Sequence, residues 1–301
     1  MWQRFYCQRR RFLFGWIALS GLLWASAAQR STQNGMDPYD PITIVAMASA
    51  VFLLFTPAFL ILIFVLARWR AVLEILILAI LADLALSKAM PLPADMEVMG
   101  FVQFMSLVIL MERLLYSAML TGNIMSLPRP FRRTFKTSAP RQEVWAALAP
   151  LPEFASRHWY PGTDVTKDPE DASAFVLSYP VRWMKEPMTE RFVIQTADAP
   201  RALRARFHLQ HPGDTVAHTG TTEVTLTPLE GGGTQVTYIE ILDAAPFRRR
   251  LQWWMDDEFR DRMNALRAHL DGRRDWSMMA RQFPKDAKTR KQNARMAEVF
   301  S

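Results

Sequence analysis

The 301 residues are 50% hydrophobic and 22% charged, with a net charge of +7 and a mean hydropathy of −0.01, averages that describe a basic, water-soluble protein. A single cysteine, Cys7, excludes an intrachain disulfide framework and a cysteine-rich zinc site. Charge is segregated, however: residues 1–128 carry +2, 129–272 are neutral and 273–301 carry +5, so there is no basic folded domain of the kind that seeks nucleic acid.

Hydrophobicity is segregated too. Phe12 to Ala28 and Ile42 to Ala67 carry no charge. A span needs about 20 apolar residues, so the second run alone is a strong membrane signal. Ala71 to Met90 contains Glu74, Asp83 and Lys88; Val98 to Leu120 contains Glu112 and Arg113. Together the runs predict a four-helix transmembrane region over 1–128, with spans near 12–28, 42–67, 71–90 and 98–120. Arg4 and Arg9–Arg11 precede the first run, Arg68 and Arg70 separate the second and third, and Arg129, Arg132, Arg133 and Lys136 follow the fourth. The positive-inside rule then places both ends inside, as in a bacterial inner (plasma) membrane protein with a cytoplasmic C-terminal domain. Ala25-Ser26-Ala27-Ala28 also fits a cleaved signal peptide, which would leave the same topology for the rest.

Beyond Phe131 the pattern becomes α+β. Phe131–Ser138 reads as a strand. Pro140–Leu148 reads as a helix capped by Ser138, and Glu153–Trp159 as a second short one. Six strand-like runs follow: 163–166, 174–179, 189–196, 202–210, 216–227 and 234–242. Their short turn-rich spacing favours an antiparallel sheet. A single long helix is predicted over Pro246–Leu270, with Phe247, Leu251, Trp254, Met255, Phe259, Met263, Leu266 and Leu270 in one apolar stripe and Gly272 as its stop. Residues 273–301 read as a basic tail.

This order, with Thr137-Ser138-Ala139-Pro140-Arg141-Gln142-Glu143-Val144-Trp145-Ala146-Ala147-Leu148 at its start and Thr222-Glu223-Val224-Thr225-Leu226-Thr227-Pro228 and Gly232-Gly233-Thr234-Gln235-Val236-Thr237-Tyr238 near its end, resembles the START-like or SRPBCC superfamily, which includes polyketide cyclase/dehydrase-type and lipid-transfer proteins. The resemblance covers roughly 131–272 and carries no shared catalytic signature. It implies a helix-grip domain over 129–272, its sheet curled around the C-terminal helix to enclose a deep, mostly apolar cavity. A small hydrophobic ligand is the implied partner, such as a lipid or isoprenoid; no cofactor is expected. Trp145, Trp159, Phe175, Tyr179, Phe192, Phe207, Trp254 and Phe259 are the candidate lining residues, each weighed against plain core filling, with Phe154, Tyr160 and Trp183 on similarly placed elements. The alternatives are a cyclase- or dehydratase-type enzyme and a membrane-tethered interaction module.

Polar candidates are few. Strand 234–242 offers two faces, and solvating Glu240 is the economical choice because an unpaired buried charge is costly. With the other face inward, Glu240 becomes a buried anchor, and Glu240 with Tyr238 the weak candidates for catalysis. His208, His211 and His218 read as surface residues, so no metal is expected. Asp83, Glu112 and Arg113 are the membrane-embedded polar groups, most simply an Asp83–Arg113 pair between adjacent helices, or Glu112 and Arg113 at the interface. Arg248–Arg250 and the basic tail (Arg281, Lys285, Lys288, Arg290, Lys291, Arg295) suit either solvent or anionic membrane lipid.

Overall fold

A computed structural model describes residues 2–34, 40–64, 70–89, 97–116, 130–182, 184–210, 217–245 and 247–286. The far ends of the expected second to fourth spans, with Arg68, Arg129, Trp183, His211 and the basic residues from Lys288 onward, lie outside them. Two compact units are present, one formed by Thr121–Arg250 and Asp257–Ser301, the other by Trp2–Leu120 together with Leu251–Asp256.

The second unit is helical. A short α1 (Trp2–Cys7) leads into α2 (Arg9–Asn34), α3 (Pro41–Phe64), α4 (Arg70–Ala89) and α5 (Glu97–Tyr116). Four long helices thus cover the four apolar runs. Among the described residues only Pro41–Ile61 is long and apolar enough to cross a membrane, and Ile75–Ser87 is apolar but shorter, so four spans are not shown. Phe12 of α2 packs against Phe55 and Phe59 of α3 with ring centroids 5.7 and 5.1 Å apart. Gly15 lets α3 approach, since a Cβ there would collide with the Phe55 ring.

The first unit is built on a seven-stranded sheet, entirely antiparallel, in the order β1-β7-β6-β5-β4-β3-β2. The strands are β1 (Pro130–Thr137), β2 (Asp164–Lys167), β3 (Ala174–Tyr179), β4 (Met188–Asp198), β5 (Ala202–Leu209), β6 (His218–Pro228) and β7 (Thr234–Ala244). Each expected strand is present to within a few residues, because alternation of apolar and polar side chains marks a sheet with one dry face. In β5, Leu203, Ala205 and Phe207 are buried while Arg204, Arg206 and His208 are exposed. Between β1 and β2 lie α6 (Arg141–Leu148) and a 3₁₀ turn, Pro152–Arg157. Pro140, not Ser138, is the N-cap residue of α6, and no side chain caps it. Ser138 donates its backbone N–H to Asp271 instead (3.3 Å), beside the Thr137 hydroxyl (2.7 Å). This carboxylate clasps the start of the domain to the end of its last helix. Burial alone would raise its pKa; the Thr137 and Ser138 bonds and the nearby Arg273 and Arg267 outweigh that and lower it.

The expected single long helix is two. Asp257 adopts a left-handed conformation (φ 46°) and divides α7 (Phe247–Asp256) from α8 (Glu258–Leu270). Aspartate is one of the few residues that enters this region readily, so the sequence shows no glycine or proline where the break falls.

The chain beyond α8 is not a plain basic tail. Met278, Met279, Ala280 and Phe283 are buried, and Phe283 stacks against Tyr160 and Tyr179 with centroids 5.6 and 6.3 Å apart. The buried Asp261 carboxylate of α8 accepts the N–H groups of Met278 (3.1 Å) and Met279 (2.9 Å), which secures this segment. Phe283→Ala is therefore expected to destabilise the domain by about 3–5 kcal/mol. Chemical denaturation of the full chain would measure it; a loss below about 0.5 kcal/mol, the range of ordinary surface substitutions, would show the segment to be dispensable.

Candidate functional site

The dry face of the sheet and α8 enclose a small cavity. Its wall on the sheet side is Leu177 of β3, Glu190 and Phe192 of β4, Leu203 and Ala205 of β5, Thr222 and Val224 of β6 and Tyr238 of β7. Leu148, Pro150, the run His158-Trp159-Tyr160 and Arg262 of α8 complete it. Strand parity explains the sheet side: Met188, Glu190 and Phe192 share one face of β4, and Val236, Tyr238 and Glu240 share one face of β7. The space arises where the small side chains of Ala205 and Thr222 face each other in register across β5 and β6.

The cavity volume is about 30 Å³. A water needs roughly 10–15 Å³ on this measure, so there is room for about two or three. This cavity is small and its wall partly charged, whereas the resemblance implies a deep, mostly apolar one.

Glu240 is the clearest correction. It is buried, and the face of β7 with Thr237, Ile239 and Ile241 is the half-exposed one. Arg262 makes this possible, with Nη1 3.1 Å from Glu240 Oε2 and 3.3 Å from Oε1. Burial alone would lower the pKa of Arg262; Glu240, the buried tyrosines and Glu190 outweigh it and raise the value well above normal, so the guanidinium keeps its charge.

Glu190 was not singled out by the sequence. It is 6% exposed, borders the cavity, and its carboxyl has no hydrogen-bond or ion-pair partner among the described residues. Burial pushes its pKa up to about 7, with the charge of Arg262 opposing and that of Glu240 reinforcing the shift. Tyr160, Tyr179 and Tyr238 surround the cluster. Burial raises the pKa of all three, so each remains a neutral phenol. Tyr179 donates to Met188 Sδ at 3.3 Å. His158 Nδ1 accepts the Tyr160 N–H at 3.3 Å, with the Thr163 hydroxyl 3.4 Å away. Such a site can hold a proton on one carboxyl, present phenolic hydroxyls and keep one fixed guanidinium.

The other candidates are scattered. Trp159 and Phe192 border the cavity; Trp145 and Tyr179 belong to the surrounding core, with Phe259 packed against it. Phe175 is half-buried opposite Phe192, and Phe207 is buried with its ring 6.4 Å from that of Phe192. Trp254 is 43% exposed and belongs to the helical unit, where its carbonyl accepts Arg10 Nη1 (2.5 Å) and its ring lies 5.6 Å from Phe14. The break at Asp257 removes it from the stripe of α8. His218 is buried rather than on the surface, and His208 is exposed. Among the described residues no cluster suited to a metal ion occurs. The Asp83–Arg113 pair does not form: Gln103 Nε2 donates to Asp83 (2.9 Å), and Arg113 lies 3.8 Å from Glu112 on an exposed face.

Residues 138–271 match the family model described as Activator of Hsp90 ATPase homolog 1-like protein. That stretch, less than half of the chain, is similar to the family and lies within the seven-stranded sheet and its helices. No curated protein matches the chain. Similar solved structures include a conserved protein from Geobacillus kaustophilus (13% identity, 48% of this chain and 93% of that one, TM-score 0.39). Proteins from Rhizobium loti (18%, 48% and 98%, 0.36) and Mesorhizobium loti (20%, 48% and 98%, 0.34) are others.

Proposed function

We propose that this domain binds a small ligand between its sheet and α8, and that the N-terminal helices tether it to a membrane from which an apolar ligand, a lipid or isoprenoid, is drawn. The observation that carries the binding reading is Glu190, a buried carboxyl with no described partner facing a cavity. A buried polar group ordinarily has a partner, and a ligand would supply one. An apolar ligand body requires the aromatic walls to part, since the present volume takes only a compact head group. Support for the tether comes from Pro41–Ile61 and from large apolar side chains exposed on α2, α3 and α5, among them Ile17, Val45, Leu54, Phe101 and Ile109. The arrangement of basic flanks argues for a cytoplasmic domain at a plasma membrane, with the basic tail available to anionic lipid.

The test uses the full chain in mild detergent. Native mass spectrometry is expected to find a co-purifying small molecule that Ala205→Trp, filling the cavity, removes. Absence of any bound molecule, with no binding of added lipid extract, would overturn the reading. The tether is checked separately: the protein should stay with membranes after alkaline washing, and release into the wash would refute it.

One observation favours a second reading. A carboxyl with a pKa of about 7 is matched to general acid–base work near neutral pH, and neutral Tyr238 is suited to polarise a carbonyl oxygen. A cyclase- or dehydratase-type activity would use Glu190 in that role, with the Glu240–Arg262 pair as its fixed surroundings. Conversion of the co-purified molecule on incubation, lost in Glu190→Gln, would establish it. A partner protein that binds equally well to Ala205→Trp would favour the interaction-module reading instead.

A further inference from the structure

The buried cluster is one positive charge short. It contains two carboxylates, Glu190 and Glu240, and one guanidinium, Arg262, which Glu240 already engages at 3.1 and 3.3 Å. Among the described residues, the charged groups acting on Glu190 are Arg262 and Glu240, with no second cation. Tyr179 of β3 and Tyr238 of β7 are neutral phenols, as is Tyr160 of the 3₁₀-to-β2 segment; Glu258 of α8, acting on Tyr179, adds a further carboxylate. His158 is engaged through Nδ1, which accepts the backbone N–H of Tyr160 at 3.3 Å. The remaining walls are aromatic, and the faces of tryptophan, tyrosine and phenylalanine rings attract cations. An anionic head group would instead meet two carboxyls and a guanidinium already paired.

We propose that the cavity recognises the protonated amine of a small organic ammonium ligand, with the Glu190 carboxylate as its counter-ion and the rings of Trp159, Tyr160 and Phe192 as its walls. This rests on the reading of the cavity as a ligand site and adds the chemical class of the head group. The volume of about 30 Å³ suits an ammonium group, which is close to water in size. Binding ionises Glu190, so each ligand bound near neutral pH releases a proton from the protein.

The experiment titrates the full chain in detergent with butylamine, butanol and butyrate, which share a hydrocarbon body and differ in head group. Calorimetry is run in two buffers of different ionisation enthalpy to count protons. Butylamine is expected to bind at least tenfold more tightly than the other two. Its affinity should fall about tenfold from pH 8 to pH 6 as Glu190 takes up its proton, the amine remaining charged throughout. Proton release should accompany binding near pH 6–7, and Glu190→Gln should lose the preference. If that variant does not fold, the pH dependence and proton count of the unmodified protein decide. Equal or tighter binding of butanol or butyrate, or amine affinity that rises as pH falls, overturns the amine assignment and leaves the ligand site standing. No binding of any of the three, together with no co-purifying molecule, overturns both.

Discussion

Arg262→Met is expected to destabilise the sheet domain by about 3–5 kcal/mol at neutral pH, because it leaves the Glu240 carboxylate buried without its counter-ion. Glu190 aggravates the loss, since the same guanidinium offsets its ionisation. The Glu190 share of the cost should shrink as pH is lowered and that carboxyl takes up its proton. The double variant Glu240→Leu with Arg262→Met removes both charges and is expected to be much less damaging than the single change, since hydrophobic replacement of a whole buried pair is often neutral. Hydrogen-exchange protection of β4 and β7 amides in the full chain would read these differences for this domain alone. A single-variant loss below about 1 kcal/mol, or additivity of the two changes, would show the pair to be energetically unimportant.

Glu190→Gln is expected to reverse the usual direction of a carboxylate's contribution. The folded-state pKa of Glu190, about 7, lies above the ordinary value of 4.5. A raised carboxyl pKa means that the folded state holds the proton more tightly than the unfolded chain. The stabilisation is therefore complete below about pH 4.5 and is lost as pH rises through about 7. The unmodified protein should lose on the order of 2–3 kcal/mol between these limits relative to the glutamine variant, which has no proton to lose. Denaturation of both proteins at several pH values checks the sign. Parallel stability profiles would show that Glu190 titrates normally and that its burial is relieved in solution. A group that costs stability at neutral pH while bordering a cavity is what a binding or acid–base role requires, since the same desolvation that weakens the fold sharpens the interaction with a ligand.

Two positions in the sequence carry the signal of the buried cluster. Glu190 shares strand parity with Met188 and Phe192, which lie on the dry side of β4, so alternation already put a carboxylate among inward residues. Arg262 lies three residues after Phe259 and four before Leu266, within the apolar stripe of α8 rather than opposite it. Each violates the expected pattern by a single residue, and only the pair of violations makes physical sense: a buried acid in the sheet and a buried base on the helix.

Local chemistry determined much of this protein from sequence alone. Period-two alternation defined seven strands, period-three-and-four spacing the closing helix, and apolar runs the four N-terminal helices, because each pattern records which side of an element is dry. Only the tertiary structure decided which face of β7 turned inward, since both faces carry enough apolar atoms and the cost of burying Glu240 depends on Arg262, 22 residues away on another element. It likewise decided the break at Asp257, where a left-handed aspartate needs no glycine, and the burial of Met279 and Phe283, which Asp261 secures. Charge balance in a dry interior is a sum over residues that only folding brings together. The neutral charge of 129–272 showed that the balance was possible; the sheet and α8 show where it is one cation short.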